Sequence, residues 1–331
     1  MNKKITATIS AVFVSSLALA GCGSPSDKKA DDKKEITISL VPSTEGEDLQ
    51  EALKPLTDYL SNKLGVKVNG VVANDYPATV EALGSGKSDA IITDAGSLYS
   101  AMKQYDAKLI LRDVRFGATS YASVAYTNNP DKYCKDKPVK ATYAADKKQY
   151  SYCNGIEPGP DAKGQGPAAT DALKKIDKGT KVALQGAASP AGYQYPMVAM
   201  KQQGVDTDKG ITQVPVEGNN NAVLSVMKKD AEVGFGFWDA RSTVAKESPN
   251  VADGVVAFAF TDMIPNGGVA TSKNMSDDMR NKLADAMDTY VDSSDDAKNV
   301  MKKLVGLTDW SKDTKPEQID QFGHIREQFS K

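Results

Sequence analysis

Histidine is almost missing from this chain of 331 residues: His324, near the C-terminus in what reads as a surface helix, is the single one. That nearly removes histidine-based catalysis and histidine-rich metal sites, so neither a metal nor a cofactor is expected. No excess of basic charge exists either. Lys and Arg number 41 against 43 Asp and Glu, a net charge of −2, with the signs mixed along the chain. A basic face for nucleic acid is therefore excluded. Cysteine is scarce, with three residues, and no segment repeats at a fixed period. What remains is 40% hydrophobic and 25% charged, the balance of a soluble globular protein. Its length is enough for two domains of ordinary size.

The N-terminus is the most legible part. Met1–Thr6 carries Lys3 and Lys4, an apolar stretch runs from Ala7 to Ala20, and Leu19-Ala20-Gly21-Cys22 closes it. A basic start, a short apolar run and small residues at the cut make residues 1–21 a signal peptide, too short to span a bilayer. The LAGC sequence resembles a bacterial lipobox, which implies cleavage before Cys22 and lipidation of its thiol; an ordinary signal with an incidental cysteine is the alternative. Residues 22–35 then form a polar, charged tether that cannot bury surface. This predicts a lipid-anchored protein on the outer face of the cytoplasmic membrane. With Cys22 assigned to lipid, Cys134 and Cys153 remain as an even pair in an oxidising location, expected as a disulfide, with two buried thiols as the alternative.

From Ile36 onward, β-rich runs such as Ile36–Val41 alternate with amphipathic stretches such as Leu49, Leu53, Leu56, Leu60 and Leu64. Short links join them, the pattern of a mainly parallel sheet covered by helices. Between residues 128 and 170 the alternation breaks into a stretch rich in Lys, Asp, Gly, Pro and Tyr, either an excursion or a mobile surface element. It then resumes with strands at Lys181–Leu184, Ile211–Val216 and Glu232–Phe237. The expected organisation is two α/β units: residues 36–127 with 242–331, and residues 128–241 including the excursion. Chain crossings near Thr127 and Arg241 would act as the hinge. Two such units outside the membrane outline a solute receptor with its ligand in a cleft at strand carboxyl ends.

Several stretches resemble the substrate-binding component of phosphonate, phosphite and phosphate ABC importers, a family with the two-domain type II periplasmic-binding-protein fold. They are LKPLTDYLSNKLGVKV (Leu53–Val68), DYPATVEALGSGKSDAIITDAGSLY (Asp75–Tyr99), Tyr121 in GATSYASV, Ser189–Gly192, Glu217–Asp239 and Ile264-Pro265-Asn266, in the family's order. The resemblance implies a receptor for a small phosphorus oxyanion or phosphonate, a monomer that closes by a hinge and delivers to ABC permease subunits.

The same positions can be read for their chemistry. Tyr76 precedes a helix that opens at Pro77, so its phenol can donate at the positive end of a helix dipole, or simply pack. Tyr121 stands at the start of a strand leading towards the second unit, and Ser97 near another helix start is a hydroxyl or a cap. In GAASPAG a helix should start near Pro190, offering the Ser189 hydroxyl and the backbone N–H groups of Ala191 and Gly192 to an anion. The family has further hydroxyls where this chain has Pro190 and Ala191. Asn220 offers an amide or an N-cap. Resemblance gives Asp239 the role of accepting from a protonated ligand oxygen, with a helix cap as the alternative. Arg241 is the one nearby cation. A hydrolase with Ser189 as nucleophile lacks both Gly-x-Ser-x-Gly and a nearby histidine, so no enzyme is expected. The alternative weighed is a receptor of the same fold for a vitamin precursor or an organic acid.

Overall fold

Strand Glu35–Leu40 buries Ile36, Ile38 and Leu40, and the helix Leu49–Leu64 lays Leu49, Leu53, Leu56 and Leu60 into the same core. Spacings of three and four put those leucines on one stripe, so the sequence pattern and the buried face coincide. The structure is a computed structural model that describes residues 34–41, 49–73, 75–159 and 164–329. The expected signal peptide 1–21 and lipidated Cys22 lie outside the described residues, as does nearly all of the expected tether. Among the described residues no helix is long and apolar enough to cross a membrane.

In chain order the strands are Glu35–Leu40 (β1), Lys67–Val72 (β2), Ala90–Thr93 (β3), Lys108–Val114 (β4), Ser120–Thr127 (β5), Val139–Thr142 (β6) and Gln149–Tyr152 (β7). They continue as Glu157–Pro158 (β8), Gly164–Gln165 (β9), Lys181–Leu184 (β10), Thr212–Pro215 (β11), Val233–Phe237 (β12), Val256–Pro265 (β13), Gly268–Thr271 (β14) and Asp309–Ser311 (β15). Two large sheets result. One has six strands in the order β15-β4-β14-β3-β1-β2, the other seven in the order β11-β10-β12-β5-β13-β7-β6. Helices Asp277–Ser293 and Asp295–Val305 return to the first sheet, burying Leu283, Met287, Met301 and Leu304 beside the β1 core.

Both sheets are mixed rather than mainly parallel. β1, β2 and β3 are parallel, as are β10, β11 and β12, but β5 runs antiparallel to both β12 and β13, and β14 antiparallel to β3 and β4. The reason is topological: β5 enters the second sheet from the first, and β13–β14 carry the chain back. Sheet membership places these crossings at residues 115–119 and 266–267, whereas the sequence predicts them near Thr127 and Arg241. β5 is buried on both faces from Ala122 to Thr127, as a strand in the middle of a sheet is.

The 128–170 stretch holds more order than its composition suggests. β7 pairs in parallel with β13, and β6 with β7, so the stretch extends the edge of the second sheet. Cys134 and Cys153 are disulfide-bonded, as the cysteine count predicts, with Cα atoms 5.6 Å apart. The bond ties the end of the short helix Pro130–Tyr133 to the end of β7. Reduction, or the Cys134→Ser/Cys153→Ser variant, is expected to remove about 3 kcal/mol, the chain-entropy value for a loop of this length. At about 2.1 cal/mol/K of unfolding entropy per residue, a chain of 331 residues then melts about 4 °C lower. A midpoint insensitive to reductant would show that the bond does not hold the extension in place.

Candidate functional site

Strands β3 and β4 end at the same edge of the first sheet, one on each side of β14, where the chain leaves that sheet. After β3, Asp94 caps the helix Ala95–Tyr105, its Oδ1 accepting from Ser97 N–H at 2.7 Å. Along β4, Arg112 and Asp113 are buried, and Arg115 follows the strand's last residue. Arg115 pairs with Ala118 across a tight turn whose two central residues, Phe116 and Gly117, have φ of 50° and 77°. Such a turn demands positive φ at both positions, natural for glycine and rare for a bulky aromatic residue.

The two crossings are knotted together. Arg112 donates from Nη2 to Thr119 O (2.9 Å) and Asn266 O (3.2 Å) and from Nη1 to Thr314 O (3.1 Å). Asn266 returns an amide hydrogen bond to Ala118 O at 2.8 Å. Gly267 passes so close to β3 that a Cβ there would lie 2.2 Å from Thr93 O, so no other residue fits without shifting the strand. On the second sheet, β12 ends at Phe237, followed by Trp238. Asn219 Oδ1 accepts from Phe237 N–H and from Gln185 Nε2, each at 3.0 Å, fixing that strand end.

Two cavities lie at these strand ends, and Arg115 lines both. The larger, about 220 Å³, is formed by Arg115, Phe116, Ser120, Tyr121, Phe237, Trp238 and Asn266. The smaller, about 20 Å³ and large enough for one water, is formed by Val41, Tyr76, Ile92, Thr93, Asp94, Asp113, Arg115 and Val305. Arg115 donates from Nη2 to Asp113 Oδ2 (3.0 Å) and Val305 O (2.9 Å). Its Nε and Asp113 Oδ1 are buried without a hydrogen-bond partner among the described residues. Burial pushes the Asp113 carboxyl above its usual range, against the pull of the Arg115 and Arg112 guanidiniums. Burial also lifts the Tyr121 phenol to about 12, with Arg115 opposing and Asp94 adding to the shift. Tyr76 is raised by burial and then by Asp94, so both phenols stay protonated as donors at neutral pH.

Of the residues singled out in the sequence, Tyr121 lines the larger cavity and Tyr76 the smaller. Ser97 is buried behind the Asp94 cap and lines neither cavity. A helical start does fall at Pro190, as expected, with Ser189 capping it rather than offering its hydroxyl outward, and a widened turn, Pro190–Gln194, precedes the regular helix Tyr195–Gln202. Its Oγ accepts from Gly192 N–H (3.1 Å) and donates to Gln185 Oε1 (3.3 Å), so the turn uses its own donors. Ala191 is buried in the cluster that Tyr121 and Phe237 pack against, a layer behind the cavity. Asn220 is exposed in the first turn of Gly218–Met227; its neighbour Asn219 faces the strand end.

Asp239 is placed differently from expectation. It caps the short helix Ala240–Thr243 and sits in the interior of the second unit, ion-paired with buried Arg241. Its oxygens also accept from Tyr126 OH (3.2 Å) and Tyr152 OH (2.8 Å). Burial disfavours the Arg241 cation, but Asp239 beside it raises the guanidinium above its usual value. Tyr126, Tyr150 and Tyr152 ring that guanidinium within 5.4 Å of their centroids. Neither charge faces the cavities, because the core of the second unit uses both. The cation at the site is Arg115, which the sequence pattern marks only as a basic residue in a strand-to-strand turn.

A mixed two-sheet fold with two crossings, and a cationic cavity at the strand ends between them, is the geometry of a two-domain binding protein. A family model described as "ABC transporter, phosphonate, periplasmic substrate-binding protein" matches residues 38–316. The chain belongs to this family. Among curated relatives, the phosphate-import protein PhnD of Mycolicibacterium smegmatis is 24% identical over 246 residues, 71% of this chain and 65% of that protein. The match thus spans just under two thirds of that relative's length. The phosphonates-binding periplasmic protein of Escherichia coli is 20% identical over 307 residues, 92% of this chain and 79% of that protein. Among solved structures, PhnD1 of Prochlorococcus marinus in complex with methylphosphonate superposes with a TM-score of 0.54 at 14% identity, over 89% of this chain and 98% of that one. At that identity the likeness establishes the fold.

Proposed function

We propose that this family member is the extracytoplasmic receptor of an ABC importer and holds a small phosphorus oxyanion or phosphonate in the cleft at Arg115. The observation that carries the reading is Arg115, the one cationic side chain lining either cavity among the described residues, with its Nε free for an oxygen. Tyr76 and Tyr121 add neutral donors, and donors fixed in advance away from water hold an oxyanion strongly. Asp113, with its raised carboxyl and its Oδ1 without a partner among the described residues, stands as the acid here in place of Asp239 but in the opposite hydrogen-bond sense: protonated, it donates to a ligand oxygen. The domains of this reading are the two sheets with their helices, hinged at residues 115–119 and 266–267. The Leu19–Cys22 stretch supports a signal peptide and a lipid anchor, with the receptor acting as a monomer on ABC permease subunits. Ser189 donates to Gln185 and not to a base, which speaks against a hydrolase.

The test is stabilisation by ligand. Phosphate, phosphite and methylphosphonate are titrated into the purified chain during thermal melts. At about a hundredfold excess over Kd a binder adds about 2.7 kcal/mol and raises the midpoint by about 4 °C. A midpoint that none of the three moves would overturn the reading and favour a different class of ligand.

A further inference from the structure

The larger cavity is more aromatic than an inorganic anion requires. Phe116, Tyr121, Phe237 and Trp238 line it, and the polar groups, Arg115 foremost, stand with Ser120 and Asn266. Phe116 is 64% exposed, yet the chain keeps it at the tip of a turn whose positive φ suits glycine or asparagine better. The Phe116 ring is thus presented at the cavity together with Tyr121, Phe237 and Trp238 rather than packed into a core. Trp238 adds a second sign. It is 2% exposed, and its Nε1 has no hydrogen-bond partner among the described residues. The opposite edge of the indole packs on Gly164, where a Cβ would lie 2.7 Å from Cζ3. A buried indole N–H usually finds a partner, and a bound ligand would supply it here. Size agrees: at about 220 Å³ the cavity is about tenfold larger than the one-water cavity beside it, and an oxyanion of five heavy atoms leaves part of it unfilled.

We infer that the ligand of this cleft carries a flat or apolar organic substituent on its phosphoryl group, packed among Phe116, Tyr121, Phe237 and Trp238 while the oxygens face Arg115. The inference rests on the reading of the cleft as a phosphorus-oxyanion site and narrows it to aryl or hydrocarbon phosphonates and phosphate monoesters. Inorganic phosphate and methylphosphonate satisfy Arg115 but leave the rings against water, and in an apolar pocket even one methylene alters affinity by about tenfold or more.

Calorimetric titration of the full chain with phenylphosphonate, phenyl phosphate, methylphosphonate and inorganic phosphate separates the cases. Expected is a Kd for at least one phenyl ligand at least tenfold below those of methylphosphonate and phosphate; the phosphonate and ester arms tell which linkage is read. Trp238 emission, followed in a Trp310→Phe variant that leaves it as the one indole of the chain's two, should change on phenyl ligand addition. Phe116→Gly, which suits the turn's backbone and so keeps the fold, should bring the phenyl-to-methyl preference close to one. Equal or weaker binding of both phenyl ligands beside measurable methylphosphonate or phosphate binding overturns the inference and leaves the oxyanion reading standing. Binding of none of the four overturns both.

Discussion

An Asp239→Ala variant is expected to lose about 3–5 kcal/mol of folding stability, the usual result of stripping one partner from a buried ion pair. Arg241 would keep its bonds to Ser151 O (2.6 Å) and Val255 O (2.8 Å) and its three tyrosine rings, but no carboxylate would face it. The hydroxyls of Tyr126 and Tyr152 would lose an acceptor in the same interior. Denaturant unfolding measures the loss directly. The double variant Asp239→Asn/Arg241→Met, with no charge left to bury, should recover part of it. At low temperature the folded Asp239→Ala protein should still bind methylphosphonate, since the carboxylate lies off the cavity. A variant as stable as the wild type that no longer binds would return Asp239 to the ligand site.

That residue also marks how far the sequence can be read. Alternation of strand and helix, the leucine stripe of Leu49–Leu64, the helical start at Pro190 and the cysteine pair are local or countable features, and the structure has them where the pattern puts them. Tyr76 and Tyr121 are legible because each stands next to a break, a proline-started helix or a strand entry, and breaks at strand ends face clefts. Asp239 stands at such a break as well, and nothing local distinguishes a carboxylate that meets a ligand from one that meets Arg241 two residues on. The deciding partners, Tyr126 and Tyr152, are 113 and 87 residues away in sequence. Arg115 and Asp113 escape notice for the converse reason. In the string DVRFG they read as ordinary polar punctuation between strands, and it is the antiparallel return of β14 and β15 on either side of β4 that encloses Asp113. The crossings lie away from their expected positions on the same grounds: β5 follows β4 after a short turn and gives no sign that it belongs to the other sheet.

An Arg115→Gln variant should bind methylphosphonate about 10- to 100-fold more weakly than the wild type, the range of 1.5–3 kcal/mol for a charged hydrogen bond converted at 1.4 kcal/mol per tenfold. Its fold should survive, because the side chain is about one third exposed and Asp113, already inclined to hold a proton, can stay neutral without it. The pH dependence of binding tests the two residues together. Burial raises the folded-state pKa of Asp113, so it remains protonated to a higher pH than an ordinary aspartate. Protonated, it donates to a ligand oxygen and leaves Arg115 to the anion; ionised, it competes for that guanidinium and repels the ligand. Affinity is thus greatest below the raised pKa and falls as pH rises through it, within a window that opens above about pH 4. Asp113→Asn keeps the shape but cannot ionise, so its affinity should lack that decline and exceed the wild type's at neutral pH. The ligand's own ionisation enters both titrations equally, so the difference between the wild-type and Asp113→Asn profiles isolates the carboxyl. Parallel profiles would remove Asp113 from the site, and an Arg115→Gln variant with undiminished affinity would move the anion away from the strand ends altogether.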